Sequence, residues 1–240
     1  MEQDIMRPPL VSLATHAICL DFDGTLVDIA ATPDGIEVPE TLAPLLNHLL
    51  AETDGATALI SGRDVAALRR HLPEYKGPII GSHGGERSDA PGRIDTSGLP
   101  DARAVIAEVH ALAAGLRVEE KPHGAVLHYR AEPDRADEAE TTARAIAARF
   151  PGFTLQRAKM AWEIHPEGIS KDRALATLFE SPPFQGRLPL FAGDDTTDEP
   201  ALAHVAQKGG IAIRIGGGDS AAPYHLETPS DMLSWLASLS

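Results

Sequence analysis

Cysteine is almost absent from these 240 residues, with Cys19 standing alone. No internal disulfide can form, and a reducing cytoplasm is the simpler home. Cys19 lies between Ile18 and Leu20, and apolar neighbours raise a thiol's pKa, which argues against a catalytic thiol. Positive charge is scarce as well: 21 Lys and Arg face 35 Asp and Glu, a formal net charge of −14. Such a chain repels nucleic acid and anionic membrane surfaces, so neither is expected as a partner. A small anionic substrate would need local positive charge or a metal ion. No apolar run approaches the ~18 residues of a membrane-spanning helix. Residues 1–12, with Glu2, Asp4 and Pro8-Pro9, lack the basic start and apolar run of a signal peptide and read as a frayed leader. Repeats, low-complexity tracts and coiled-coil heptads are missing too. What remains is 43% hydrophobic and 23% charged, enough for one sizeable core or a core plus a small second unit.

The most informative stretch is residues 16–26. Ala17, Ile18, Cys19 and Leu20 predict a buried strand, too short for a helix and too continuous for a half-exposed edge. It ends in Asp21-Phe22-Asp23, and Gly24-Thr25 break it. Side chains two apart in a strand share a face, so the carboxyls of Asp21 and Asp23 are expected to converge. Two such carboxylates repel unless one is protonated or a cation sits between them, and Mg²⁺ is bound by carboxylates together with phosphate oxygens. One carboxylate can then act as a nucleophile forming an aspartyl-phosphate, and the other as an acid and base.

Along the chain, Pro33 and Pro39 punctuate a loop, and the leucine spacing predicts a helix over 39–52. A strand at 56–60 ends in Ser61-Gly62-Arg63. A helix follows from Asp64 to Pro73, then a strand at 78–82 ahead of His83-Gly84-Gly85-Glu86-Arg87 and a turn-rich stretch to Pro100. Strand and helix alternate as in a parallel sheet covered on both faces, where ligands sit beyond the carboxyl ends of strands. The pattern then changes: helix 101–114, strands 116–121 and 125–130, helix 134–149, strands 153–157 and 161–165. That order implies a small antiparallel sheet with helices on one face, a separate unit over 102–166 inserted between residues 1–101 and 167–240. Afterwards the first pattern resumes, with a helix from Lys171 to Phe179, a strand at 188–192 and an acidic turn from Gly193 to Glu199. A helix from Glu199, a strand at 210–215 and a closing helix at 229–239 complete the chain.

Asp194, Asp195 and Asp198 follow a buried strand. They would repel without a cation, although an acidic helix start would also suit Asp198 and Glu199. Asp194 is expected beside the metal that Asp21 touches, with Asp195 and Asp198 orienting metal-bound water. Lys171, at a helix N-terminus disfavoured by the dipole, would offset charge between nucleophile and phosphate. Ser61 and the backbone amides of Gly24 and Thr25 would donate to phosphoryl oxygens, and Arg63 offers a fork for the same group.

Asp21-Phe22-Asp23-Gly24-Thr25, Ser61, Lys171 and Gly193-Asp194-Asp195-Thr196-Thr197-Asp198 resemble the four ordered motifs of the haloacid dehalogenase (HAD) superfamily of phosphotransferases. The insert resembles that superfamily's larger cap domain (type C2). Ile60–Arg63, Gly81–Arg87, Leu127–Arg130, Trp162–Lys171 and the acidic turn are similar to trehalose-6-phosphate phosphatases, over about residues 16–238.

The resemblance implies an α/β fold, a Rossmann-like HAD core with a parallel sheet and an inserted α+β cap that closes over the site. It implies Asp21 as nucleophile, Asp23 as general acid/base, and Mg²⁺ held by Asp21, the Asp23 backbone carbonyl and Asp194, with Asp195 and Asp198 behind. Substrate contacts would come from Gly24, Thr25, Ser61, Gly62, Arg63, His83 and Glu86 in the core, and from Lys121, His128, Arg130 and Glu163 in the cap. Two positions depart from the family pattern: His165 stands where many relatives carry lysine, and Gly85 where alanine is common. The expected activity is Mg²⁺-dependent phosphoric monoester hydrolysis of trehalose 6-phosphate, in a cytoplasmic monomer or weak homodimer. Rival readings are another HAD sugar phosphatase, acting on sucrose 6-phosphate, mannosyl-3-phosphoglycerate or a hexose phosphate, and a non-catalytic sugar-phosphate sensor.

Overall fold

In the computed structural model, which describes residues 6–30, 35–158 and 160–239, the apolar run before Asp21 forms β1 (His16–Leu20). There follow α1 (Leu42–Glu52), β2 (Thr57–Ile60), α2 (Val65–His71), β3 (Ile79–Gly81) and β4 (Glu86–Ser88). After α3 (Arg103–Leu112), β5 (Arg117–Lys121), β6 (Gly124–His128), α4 (Ala136–Arg149), β7 (Phe153–Ala158) and β8 (Ala161–Pro166) come α5 (Lys171–Leu178) and β9 (Leu188–Gly193). The described chain closes with α6 (Glu199–Gln207), β10 (Ile211–Ile215), β11 (Tyr224–Leu226) and α7 (Pro229–Leu236). Contacts divide it into two compact units, one from residues up to 95 and from 170 onward, the other from residues 96–169.

The first unit is a seven-stranded sheet in the order β11-β10-β9-β1-β2-β3-β4. Every neighbouring pair is parallel except β3 with β4. β1 lies at its centre, and its residues are sorted by the two-residue period. Ile18 and Leu20 pack with Leu42, Leu46, Leu49 and Leu59 on one face. Ala17 and Cys19 pack with Leu175, Phe191, Leu202 and Val205 on the other. Being covered on both faces is what made the run uniformly apolar. Burial also pushes the Cys19 thiol far up, so it stays protonated and inert. Asp64 caps α2, its Oδ1 accepting the Ala67 amide at 2.6 Å, and the helix ends just before Pro73.

The second unit is an antiparallel sheet, β5-β6-β8-β7. Val105 and Val109 of α3 and Ala143 and Ile146 of α4 pack on one of its faces against Leu127, Trp162 and Ile164.

Three expectations change. β4 lies in a stretch read as a polar loop; Glu86-Arg87-Ser88 lacks the apolar alternation of a strand and pairs antiparallel along the β3 edge. β11 is likewise too short and too polar to register as a strand. Residues 1–5 and the loop at Pro33 lie outside the described residues. The remainder of the expected leader is tied down: Met6 bridges Tyr224, its carbonyl accepts the His225 amide at 3.0 Å, and Pro8 is buried. Among the described residues no helix is long and apolar enough to cross a membrane.

Candidate active site

β1 delivers Asp21 to the carboxyl edge of the sheet, where the residue is 4% exposed. The fully buried Phe22 anchors the turn that follows. Thr25 Oγ1 donates to Asp21 Oδ2 at 3.2 Å. Gly24 adopts φ +72°, and a Cβ there would lie 2.0 Å from Asp194 Oδ2, so glycine is what lets the β9 turn approach. The amides expected to meet phosphate bond within the turn instead: Gly24 N–H to the Val27 carbonyl at 2.8 Å and Thr25 N–H to the Phe22 carbonyl at 3.4 Å.

α5 starts at Lys171, whose ammonium is buried between two carboxylates. Its Nζ donates to Asp21 Oδ1 and to Asp198 Oδ1, each at 2.7 Å. Burial by itself would lower this lysine, yet Asp21 and Asp198 hold it well above its ordinary value. Asp198 is fully buried, and its Oδ2 accepts the Asp195 amide at 3.1 Å. Asp21, Asp194 and Asp198 each place one carboxylate oxygen within 4.8 Å of the others. Burial and the facing carboxylates hold Asp21 well above the usual carboxylate range, despite Lys171. The same causes push Asp194 up to about 6. Three hard oxygen donors facing one ammonium leave an excess of negative charge, which a divalent cation with oxygen ligands fits. The side-chain carboxylates of Asp195 and Asp23 stand outside this group. Asp195 is exposed and its Oδ1 accepts from the Thr196 amide at 2.7 Å.

Asp21 and Asp23 therefore turn to different partners rather than converging. Arg63 grips Asp23 in a fork, Nε to Oδ2 at 2.6 Å and Nη2 to Oδ1 at 2.7 Å, while its Nη1 lies 3.3 Å from His71 Nε2. Ser61 is buried at the end of β2, its Oγ accepting the Arg63 amide at 3.2 Å. The His83 ring lies against Gly62. Ser82 and His83 take φ +49° and +57°, left-handed conformations uncommon for residues with a side chain. Ser82 N–H donates to the Arg63 carbonyl and His83 N–H to the Ser61 carbonyl, at 2.8 and 2.9 Å. Glu86, expected to touch substrate, is instead buried and braces the backbone. Its Oε2 accepts the first amide of α2, that of Val65, at 2.7 Å, and its Oε1 accepts Ser82 Oγ at 3.3 Å.

Lys121, His128 and Glu163 belong to the second unit. Strand register puts Lys121, Glu119, His128 and Glu163 on the sheet face away from α3 and α4, and Arg130 is exposed just past β6. Glu119 receives both Lys121 Nζ, at 2.7 Å, and His128 Nε2, at 2.8 Å. The His128 contact, helped by Lys121, holds Glu119 down to about 2. On the same face, burial lowers His165 below the ordinary histidine value.

Sequence reasoning passed over Glu119 and Arg214. The first carried one legible signal, its position two residues from Lys121 on an alternating strand. The second is a lone basic residue inside the apolar run Ile211–Ile215.

Chemically, the site offers a buried carboxylate paired with an ammonium, two further acids beside it, and a fourth carboxylate in a guanidinium fork. That set can accept a phosphoryl group on Asp21 with a cation alongside. The comparisons agree with this chemistry. A model of the trehalose-phosphatase family matches residues 19–230. The trehalose-6-phosphate phosphatase of Escherichia coli (strain K12) is 38% identical over 98% of this chain and 90% of its own length. A probable trehalose-phosphate phosphatase of Sinorhizobium fredii is 36% identical over 89% and 83%. The crystal structure of a trehalose-6-phosphate phosphatase related protein superposes with a TM-score of 0.74 at 25% identity, covering 92% of this chain and 95% of that one. A haloacid dehalogenase-like hydrolase from Bacteroides thetaiotaomicron, at 17% identity, shares the fold, with a TM-score of 0.68 over 93% and 98%. With the family match spanning both units and the segments that carry Asp21, Lys171 and Asp194, the chain belongs to the trehalose-phosphatase family, phosphatases built on the HAD fold.

Proposed function

We propose that this protein hydrolyses trehalose 6-phosphate to trehalose and phosphate, with Asp21 as nucleophile and Mg²⁺ as the cation. The observation that carries this reading is the Asp21–Lys171–Asp198 array with Asp194 beside it, which leaves room in charge for a divalent ion and its phosphate. Asp21, Asp194 and Asp198 are the residues that would hold the cation. Bound there, Mg²⁺ would neutralise the phosphoryl oxygens and the crowded carboxylates.

The chain's own groups supply the rest. Lys171 lowers the cost of ionising Asp21 in a buried site and orients its Oδ1, and Thr25 orients Oδ2. Attack by Asp21 on phosphorus releases the sugar oxygen, which needs a proton. Asp23, two residues on, can give that proton and then take one from the water that hydrolyses the aspartyl-phosphate. For this Asp23 must exchange its fork with Arg63 for contact with the reacting oxygen. Freed from Asp23, the Arg63 guanidinium has the planar geometry to receive phosphate. We read the polar face with Lys121, His128 and Glu163 as the sugar-recognising surface, where several hydroxyls can be met at once. Absence of a spanning helix among the described residues and the single buried cysteine support a cytoplasmic setting.

The test is phosphate release from trehalose 6-phosphate, sucrose 6-phosphate, mannosyl-3-phosphoglycerate and glucose 6-phosphate, with Mg²⁺ and with chelator. Turnover should require Mg²⁺ and be strongest on trehalose 6-phosphate; comparable rates on glucose 6-phosphate would defeat the substrate assignment. Asp21→Asn should reduce release to background while circular dichroism stays unchanged. Asp23→Asn should slow it about 10²–10⁴-fold, the usual worth of a positioned acid/base.

A further inference from the structure

Arg214 interrupts an otherwise apolar strand and is 9% exposed. Register sets it opposite Gly193 on β9 and His225 on β11. Its Nη1 donates to the Asp195 carbonyl at 3.0 Å and to Glu199 Oε1 at 3.2 Å. Glu199 Oε2 in turn accepts the Ala221 amide at 2.8 Å. The Asp195 peptide is thereby tied on both sides: its N–H donates to Asp198 Oδ2 and its carbonyl accepts from Arg214. Asp194 precedes that residue and Asp198 follows it by three, so the guanidinium fixes the backbone that joins two carboxylates of the cluster. Gly193 completes the arrangement, since a Cβ there would lie 2.4 Å from Asp198 Cγ. Arg214 Nε is buried with no hydrogen-bond partner among the described residues, so the side chain's hydrogen bonds to the turn run through Nη1.

We propose that Arg214 is a positioning residue that holds the acidic turn in its cation-binding shape, in opposition to its own charge. The inference rests on the reading of Asp21, Asp194 and Asp198 as a divalent-cation site. Two effects of this side chain oppose one another. Its positive charge repels a cation nearby, so removing the charge alone would tighten binding. Its hydrogen bonds shape the turn beforehand, and losing such outer partners typically weakens metal affinity ~10–100-fold. The sign of the change therefore separates the two.

Mn²⁺ binding, read by electron paramagnetic resonance without substrate, decides between them on the wild-type protein, Arg214→Met and Arg214→Lys, with folding checked by circular dichroism. Arg214→Met should bind Mn²⁺ ~10-fold or more weakly. Arg214→Lys keeps the charge and one donor for the Asp195 carbonyl, and its affinity should lie between the two. An Arg214→Met protein that is folded and binds Mn²⁺ equally or more tightly overturns the proposal. If Arg214→Met does not fold, Arg214→Lys decides: weaker binding in this charge-preserving variant supports the role, and unchanged binding overturns it. Wild-type protein that binds no Mn²⁺ overturns the cation site itself and this inference with it.

Discussion

Lys171 holds the charge balance of the site, and its replacement measures that balance. Lys171→Met leaves Asp21 and Asp198 buried without the ammonium between them. Breaking a buried pair in this way costs about 3–5 kcal/mol, and urea unfolding in chelator should show a loss of that order, partly restored by Mg²⁺. The acids make a second prediction. Asp194 is pushed up to about 6, with Asp21 shifted in the same direction, so the folded chain binds protons more readily than the unfolded one. The stability linked to these protons is fully present below the unfolded carboxyl pKa of about 3.9 and is lost as pH rises through about 6. Because a cation binds the deprotonated form, Mg²⁺ should raise the Tm more at pH 7 than at pH 5. At a hundredfold excess over Kd the gain is about 2.7 kcal/mol, measured by thermal unfolding with Mg²⁺ and with chelator. Asp21, Lys171 and Asp194 were legible because each stands at the end or start of an element whose apolar pattern fixes its place. The Arg63–Asp23 fork was not, since side-chain direction at a turn depends on neighbours 40 residues away. Arg214 escaped for a related reason: its role is set by the turn after a neighbouring strand.

Among the elements, β3, the turn after it and α2 act together through one side chain. Glu86 joins the first amide of α2 to Ser82, and Ser82 and His83 hold the backbone of Ser61–Arg63. Glu86→Ala removes a cap interaction and leaves a helix amide unpaired, a loss of about 0.5–2 kcal/mol. Because Arg63 loses its backbone support, kcat should fall more than KM rises, and Glu86→Gln, which retains an acceptor, should recover most of the loss. A rise in KM with kcat preserved would return Glu86 to the role of substrate contact. The order of strands and helices was readable from the two periods, 2 for strands and 3.6 for helices, and from the prolines that end them. β4 and β11 were not, because a three-residue edge strand is defined by its neighbour's free hydrogen bonds and leaves almost no mark in its own residues.

At the scale of the whole molecule, the clustered carboxylates Asp21, Asp194 and Asp198 and the side chains of Lys171, Ser61 and Arg63 all belong to the unit that contains β1, and the second unit has its own core. Ile146→Ala, which empties part of that second core, should cost about 2–5 kcal/mol on unfolding while leaving Mn²⁺ affinity unchanged. Titration of the variant alongside its denaturant curve checks both halves. The sheet order has a further consequence for how the chain is made. β1 is synthesised first among the strands, yet one of its two neighbours, β9, begins at Leu188, on the far side of the whole inserted unit. A nascent chain halted anywhere before that point carries β1 with at least one open flank, ready to pair with another strand, and an Asp21 whose lysine has only just been translated or does not yet exist. Competence for chemistry thus arrives late and abruptly, when the ribosome has released β9 and the acidic turn after it.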